Sequence, residues 1–421
     1  MMADWNKQHN PIPLIIELEK TRSVNAEGNV QFGGFGIMVA FPKLEAMVTI
    51  NPEITLEDKL GIVQQSIFKA GRKGELTSQA IMAEIIKLEK EYLSSRLQNY
   101  TLATSLSIDN YYHKLPNLQI NKNRITFTRN FPKYFTKPIY NNSQINFFLG
   151  KRGFPTKYLC ARIAVKAKSI HQATEKALVS FNLFRGILNF GINYGQQSFL
   201  FGGASRKPIN KILLGPIHTL HKPNGKMAAN DLFWYEPEYR EPLQPYHNNI
   251  VGEFDKILKF VGEARRAIQK SKISKKLQDA ILLYNDALDS YNYEVSYTKL
   301  WAVLELLTGT GTDDDHKVTV RRVAFIFNNP EEERVHIDIL RRFRNDLVHR
   351  GHMNAKLEIF VYDLKLYVEK LLRFLIFNHF RFNSFSDVAY LLDRSTNYKE
   401  LNKWVKLASY AQKINKKRKL S

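Results

Sequence analysis

The chain reads as an α+β protein, with a mixed α/β N-terminal domain followed by an all-α helical bundle. Three observations carry that reading. Over residues 1–245, short apolar runs broken by glycine and proline alternate with longer helical patterns. Over 246–400, apolar residues recur at spacings of three and four without strand-like alternation. Between them, the Pro-punctuated segment from Tyr235-Glu236-Pro237 to Leu243-Gln244-Pro245 marks the domain boundary.

In the first domain, Pro13–Glu19, Gly36–Phe41 and Met47–Ile50 are short apolar runs separated by glycines, a pattern that predicts strands. Leu56–Leu97 follows a helical period with a break at Lys73-Gly74. Tyr100–Ile108, Arg124–Phe131 and Tyr158–Val165 read as strands, and Leu213–Leu220 as another, followed by an Asn224-Gly225 turn. A helix is expected over His171–Phe190, where Ala173, Ala177, Phe181 and Leu188 fall near one face. Cys160, the only cysteine, sits in a predicted strand as a packed thiol, so no disulfide and no cysteine metal site is expected.

In the bundle, Phe254, Ile257, Leu258, Val261 and Ile268 share a helical face, as do Leu277, Ile281, Leu282 and Leu288. Leu300–Leu307 is stopped by Thr308-Gly309-Thr310-Gly311, and Val318–Phe327 by Asn328-Asn329-Pro330. Val335–His349 and Leu357–Phe377 complete the set, separated by Gly351 with Asn354 as an N-cap. Residues 401–421 form a basic tail ending in Lys416-Lys417-Arg418-Lys419, read as disordered, with an auxiliary RNA contact or an import-like patch as the alternatives.

A 44% hydrophobic and 24% charged composition is that of a globular protein. No apolar run approaches the ~20 residues of a membrane-spanning helix, and the N-terminus lacks a signal-peptide layout, so a cytoplasmic location is expected. The net charge of +22 is concentrated: from Lys114 to Lys226 there are 19 Lys and Arg against one acid, Glu175. Such a surface attracts a nucleic-acid backbone. Lys151, Arg152, Lys166 and Lys168 are the candidate RNA contacts. Aromatics interleaved with the cations, Phe127, Phe131, Tyr134, Phe135, Tyr140, Phe147, Phe148, Phe154 and Tyr158, would suit base stacking or would fill the core behind a solvated face.

The chemistry-bearing segment is Arg344-Asn345-Asp346-Leu347-Val348-His349. An Arg can hold a phosphate, a neighbouring Asn can orient an oxygen or the imidazole, and a His of near-neutral pKa can move a proton. On a basic chain this points to RNA cleavage. A helical wheel puts Leu340, Phe343 and Leu347 on the packing face, Asp338, Arg342, Asn345 and His349 opposite, and Arg344 on the flank. Glu305, inside an apolar helix, meets a partner if it is buried, or stands at the rim in solvent. His352 could assist at the site or occupy a turn. Asp313-Asp314-Asp315-His316 lacks the spacing of a cation loop and reads as a loop ending in a helix cap. The glycines at 309 and 311 lack the Lys-Ser/Thr of a phosphate-cradling loop.

Trp301 with Glu305, then Arg321-Arg322-Val323-Ala324, then Arg344-Asn345 with His349 and Gly351, in that order, resemble the HEPN domain superfamily, and within it the Apea-like HEPN branch. The resemblance covers about 145 residues of the 421. It implies a helical domain with Arg344, Asn345 and His349 as catalytic residues, Glu305 orienting an arginine, and two motifs meeting across a two-fold homodimer. Arg342, seven residues before His349, also fits the family's looser spacing and could share or replace the role of Arg344. The implied activity is a metal-independent endoribonuclease acting by 2′-OH attack, with no cofactor, in the setting of a toxin or anti-phage defence effector answering to a phage trigger or regulatory protein. The N-terminal domain would recognise RNA or sense the trigger. The alternatives are a non-catalytic HEPN module that binds RNA or a nucleotide, and an assembly protein whose bundle only dimerises.

Overall fold

The computed structural model describes the chain except at residues 1, 35, 134, 136–141, 151–154, 198–206, 230–232, 237–238, 240–243, 249, 310–315, 351–356 and 419–421. At 36, 316, 348–350 and 417–418 it describes the backbone alone. Lys151, Arg152, His352, Asn354 and the Asp313–Asp315 run therefore lie outside the described residues, as does the side chain of His349. The chain divides into two compact units, each discontinuous in sequence. The first comprises Met1–Ser105, Lys114–Phe181 and Pro216–Tyr235; the second comprises Leu106–His113, Asn182–Gly215 and Glu236–Ser421. The helical unit thus takes in two segments besides the 246–400 stretch, and the last crossing of the chain falls in the Pro-punctuated segment, after Tyr235.

The first unit opens with α1 (Ile12–Thr21), α2 (Gly36–Ala46), α3 (Leu56–Lys73) and α4 (Ser78–Ser94), with short strands β1 (Asp4–Trp5), β2 (Arg22–Val24), β3 (Val30–Phe32) and β4 (Val48–Thr49). The strands expected at 13–19 and 36–41 are helices. Pro13 falls in the first turn of α1, where its missing N–H costs nothing, and Ile15 and Leu18 are buried three positions apart. In α2, Ala40, Phe41 and Leu44 bury one face despite Pro42 within the helix. A short apolar run does not distinguish a buried helix from a strand by periodicity. Met47–Ile50 does supply a strand, β4, paired antiparallel with β1. The break at Lys73-Gly74 is present, and Thr55 and Thr77 cap the two long helices through their side chains.

The rest of this unit is built on a six-stranded sheet of order β10-β9-β5-β8-β7-β6, from β5 (Gln98–Asp109), β6 (Leu118–Ile120), β7 (Asn123–Thr128), β8 (Tyr158–Ala167), β9 (Ile217–His221) and β10 (Trp234–Tyr235). Asn121 and Lys122, both at positive φ, make the tight turn between β6 and β7. Two helices belong here, α5 (Ser143–Leu149) and α6 (Ile170–Asn193); the later residues of β5 and α6 fall in the second unit. Ala173, Ala177, Phe181 and Leu188 of α6 are all fully buried, as their spacing predicts. Cys160 is buried, and burial pushes its thiol up to about 11, so it is inert packing.

The second unit holds α7 (Glu253–Lys270), α8 (Ser274–Asp289), α9 (Tyr293–Thr308), α10 (His316–Ala324), α11 (Pro330–Arg350), α12 (Leu357–Phe377), α13 (Phe385–Leu392) and α14 (Tyr398–Arg418). Helix α9 is its axis, packed on α8 and α12 and burying Tyr297, Leu300, Trp301, Leu304 and Leu307. Gly309 ends it in the left-handed conformation, φ +69°, that only glycine adopts without strain. The tail expected to be disordered is helical through α14, which contains neither Gly nor Pro and carries six Lys. No helix among the described residues is long and apolar enough to cross a membrane.

Candidate active site on α11

The candidate site is positioned by α9. Asn292 caps this helix by accepting from Glu294 N–H, and the buried Tyr297 projects from it onto α11. Tyr297 Oη–H donates to the main-chain carbonyl of Leu340 at 2.7 Å. In an α-helix that carbonyl also accepts the N–H of residue 344, so the bond anchors the helical turn that carries Arg344. Beside it, the Phe343 ring meets Tyr297 and Phe360 edge-on, at 5.2 and 4.8 Å between centroids.

The burial of α11 revises the helical wheel. Ile337 and Leu340 are buried, and Arg344, seven and four positions on, is half-buried on the same side. Val335, Ile339, Arg342 and Asp346 are exposed. Asn345 is half-buried, not fully outward. The half-buried Arg344 agrees with its place on the flank of the wheel, and Asn345 is the residue that the wheel set too far outward.

The two candidate arginines differ in what they hold. Arg342 is exposed and donates through Nε to Asp338 at 2.9 Å, while Arg341 Nε donates to the other Asp338 oxygen at 2.7 Å. The hydrogen bond from Arg341, and then that from Arg342, hold the Asp338 carboxyl below the usual carboxylate range. Arg344 donates from Nη1 to Asn345 Oδ1 at 3.3 Å, and its Nε is buried with no hydrogen-bond partner among the described residues. A buried guanidinium donor left unmade is costly, and Arg334 Nε, earlier on the same helix, is in the same state. The backbone of α11 continues through residue 349, which stands one helical turn beyond Asn345.

Of the residues that accompany the motif, Glu305 is half-buried and accepts from Trp301 Nε1 at 2.7 Å, one turn back on α9. Arg322 and Arg321 both pair with Asp393, at the end of α13. Arg322 also donates to the Thr308 carbonyl at 2.6 Å, closing the C-terminus of α9. These arginines clamp helices together.

Among the candidate RNA contacts, Lys166 is exposed. Lys168 is 14% exposed at its side chain and donates to the Leu93 carbonyl at 2.6 Å, with Glu53 at 3.8 Å, so it ties the fold together. It is corrected from surface contact to structural cation; spacing alone could not show that its chain turns inward. Of the interleaved aromatics, Phe135 and Tyr158 are core, Phe127 lies against Phe181, and Phe147 is 90% exposed.

One constellation that the sequence pattern did not bring forward lies in the helical unit. Lys365 Nζ donates to the carbonyls of Asn193 and Gln196 and pairs with Glu369 at 2.8 Å, both side chains fully buried. Glu369 also accepts from Tyr284 Oη and Gly195 N–H. Burial raises the Glu369 carboxyl and lowers the Lys365 ammonium, each partly offset by the other. The signal was present as a Lys and a Glu four apart in an otherwise apolar helix. Its donors and acceptors are engaged with one another, so it is a structural lock.

Among the described residues no group of three His, Cys, Asp or Glu is placed to hold a metal ion. Comparison with family models, with curated proteins and with solved structures yields no match.

Proposed function

We propose that this protein is an endoribonuclease of the HEPN type, cleaving RNA by attack of the 2′-OH, with Arg344, Asn345 and His349 as its catalytic residues. The observation that carries the reading is the contrast within α11: Arg342 is bound to Asp338 on the surface, whereas Arg344 keeps a buried donor without a partner among the described residues. A phosphate oxygen is the ligand group that a guanidinium fork satisfies best.

In this reaction the 2′ oxygen attacks phosphorus and the bond to the 5′ oxygen breaks, leaving a 2′,3′-cyclic phosphate. One proton leaves the 2′-OH and one arrives at the departing oxygen. Arg344 stabilises charge on the phosphorane oxygens, Asn345 holds the Arg344 fork or an oxygen, and His349 moves a proton. Two proton transfers suit two imidazoles, and a two-fold dimer would bring a second copy of α11 to the first. The outward face of α11 supports this, since Val335 is 60% and Ile339 49% exposed beside the charged rim. An activity of this kind suits a toxin or anti-phage effector, with the basic N-terminal unit gripping RNA or answering a trigger.

The test is incubation of the purified protein with total RNA in EDTA, beside His349→Ala and Arg344→Ala. Each substitution is expected to lower cleavage by about 100-fold or more. An oligonucleotide with a 2′-deoxy sugar at the scissile position should resist. Wild-type rates for His349→Ala overturn the assignment, and RNA binding without cleavage by the wild type makes this a binding module.

A further inference from the structure

The first unit carries a groove of about 770 Å³ at the end of its sheet where β8 finishes and β5 and β7 begin, beside α6. Four cations line it: Lys122 from the β6–β7 turn, Arg124 from β7, Lys166 from β8 and Lys176 from α6. All four are exposed, none forms an ion pair among the described residues, and no acid lines the groove. The arrangement follows from the fold. Arg124 stands opposite Ala164 in the antiparallel register, and Lys166 is two residues further along β8, so the three share one face of the sheet. The small Ala164 leaves the space between the two cations open. The tight turn at Asn121-Lys122, both at positive φ, sets Lys122 at the rim.

We propose that this groove binds the phosphodiester backbone of RNA, by charge and without reading bases. Four cations converging on one concavity repel one another, and a polyanion relieves that cost while releasing its counterions. Base stacking would need exposed rings, and the groove has none: Tyr100, the one aromatic residue lining it, is 6% exposed with its hydroxyl on Gln98. The strand therefore lies in the groove through its phosphates, which makes the grip indifferent to sequence. This assignment shares RNA as the ligand with the catalytic reading above but does not depend on cleavage.

The test uses the full chain carrying Arg344→Ala, so that binding is read without turnover, and a labelled unstructured RNA of about 20 nucleotides. Titrations over a range of salt are compared for this protein and for one that adds Lys122→Ala, Arg124→Ala, Lys166→Ala and Lys176→Ala. Each phosphate left without its cation should flatten the log–log salt slope by roughly 0.7, so the four together by up to roughly 3, with affinity down about 100-fold at 0.1 M salt. The loss should be equal for poly-pyrimidine and mixed sequences. Replacing Lys122, Lys166 and Lys176 by Arg should keep both slope and affinity, which separates loss of charge from loss of fold. A parallel variant, Lys403→Ala with Lys406→Ala and Lys413→Ala in α14, should bind as the parent does. An unchanged slope in the groove variant, or a loss confined to the α14 variant, overturns the proposal. Failure of RNA cleavage by the wild type, with groove-dependent binding intact, would sink the nuclease reading and leave this one standing.

Discussion

The core of the helical unit and the groove of the mixed unit use positive charge in opposite ways, although elsewhere the mixed unit also pairs its cations, Arg22 with Glu19 and Lys59 with Glu45. In the helical unit, Arg185 grips Asp289 through two hydrogen bonds, Lys365 meets Glu369, and Arg321 and Arg322 share Asp393. In the mixed unit, Lys122, Arg124, Lys166 and Lys176 face a groove that no acid lines. A paired cation holds helices in place; one facing others of its sign stores repulsion that a ligand can relieve. Arg344 and Arg334 each keep a buried Nε without a hydrogen-bond partner among the described residues, but Arg334 pairs with Glu331 through Nη1, whereas Arg344 donates only to the neutral Asn345. Charge count alone would have ranked every arginine equally.

The sharpest way to break the comparison is at the paired extreme. Glu369→Ala leaves Lys365 buried and uncompensated, and is expected to cost about 3–5 kcal/mol in denaturant unfolding. Lys365→Met with Glu369→Leu should recover most of that, because two apolar residues of similar size remove both buried charges. A loss for Glu369→Ala of under about 1 kcal/mol would mean that the pair does not lock the core.

Next in size is the contrast within α11. Arg344→Ala should lower RNA cleavage by about 100-fold, equivalent to about 2.7 kcal/mol, and Arg342→Ala by only a few-fold. Equal losses would return the motif's register to Arg342. The Asp393 clamp follows. Hydrogen bonds from Arg322, then Arg321, hold that carboxyl below its ordinary value of about 3.9. A depressed carboxyl stabilises the fold fully above that ordinary value and loses its contribution as pH falls through the folded value. Asp393→Asn should therefore cost about 1 kcal/mol at pH 7, a figure reduced by the pair's partial exposure, and should cost less as pH falls below about 4. An unchanged penalty in acid would show that something other than charge is lost. The smallest contrast is between two lysines at the end of β8. Lys168→Ala should lower the melting temperature by a few degrees and leave the salt slope of RNA binding alone, whereas Lys166→Ala should do the reverse.

How much of this could be read from the chain differs by region for physical reasons. The helices α8 to α12 were legible because each buries a stripe at the helical period, and strong stops such as Gly309 and Pro330 punctuate them. The helix over 170–193 was legible for the same reason. Helices α1 and α2 were not, because their apolar runs are short and unbroken, and burial on a neighbour decides between helix and strand. Position 344 was legible as chemistry and as a flank of the helix, whereas position 345 was legible as chemistry only, since it is half-buried and not fully outward. The turn that carries them is packed by Tyr297, Phe343 and Phe360, which come from three different helices. The groove cations were each visible in the basic segment, yet Lys122, Arg124 and Lys176 were not singled out. Only the antiparallel register between β7 and β8 brings Arg124 and Lys166 to the same face.

The interleaving of the two units has a consequence for how the protein is made. Asn193, Gly195 and Gln196 leave the ribosome well before Lys365 and Glu369, the residues that close on them. The same holds for Arg185, Asn189 and Asn210, which wait for Asn285 and Asp289. The helical unit therefore cannot mature until most of the chain has been synthesised, and its early segments must be carried unpaired for that interval. If α11 bears a nuclease, the cell meets no active fragment during synthesis, and a chain truncated before residue 365 is an unfinished core and not a smaller enzyme.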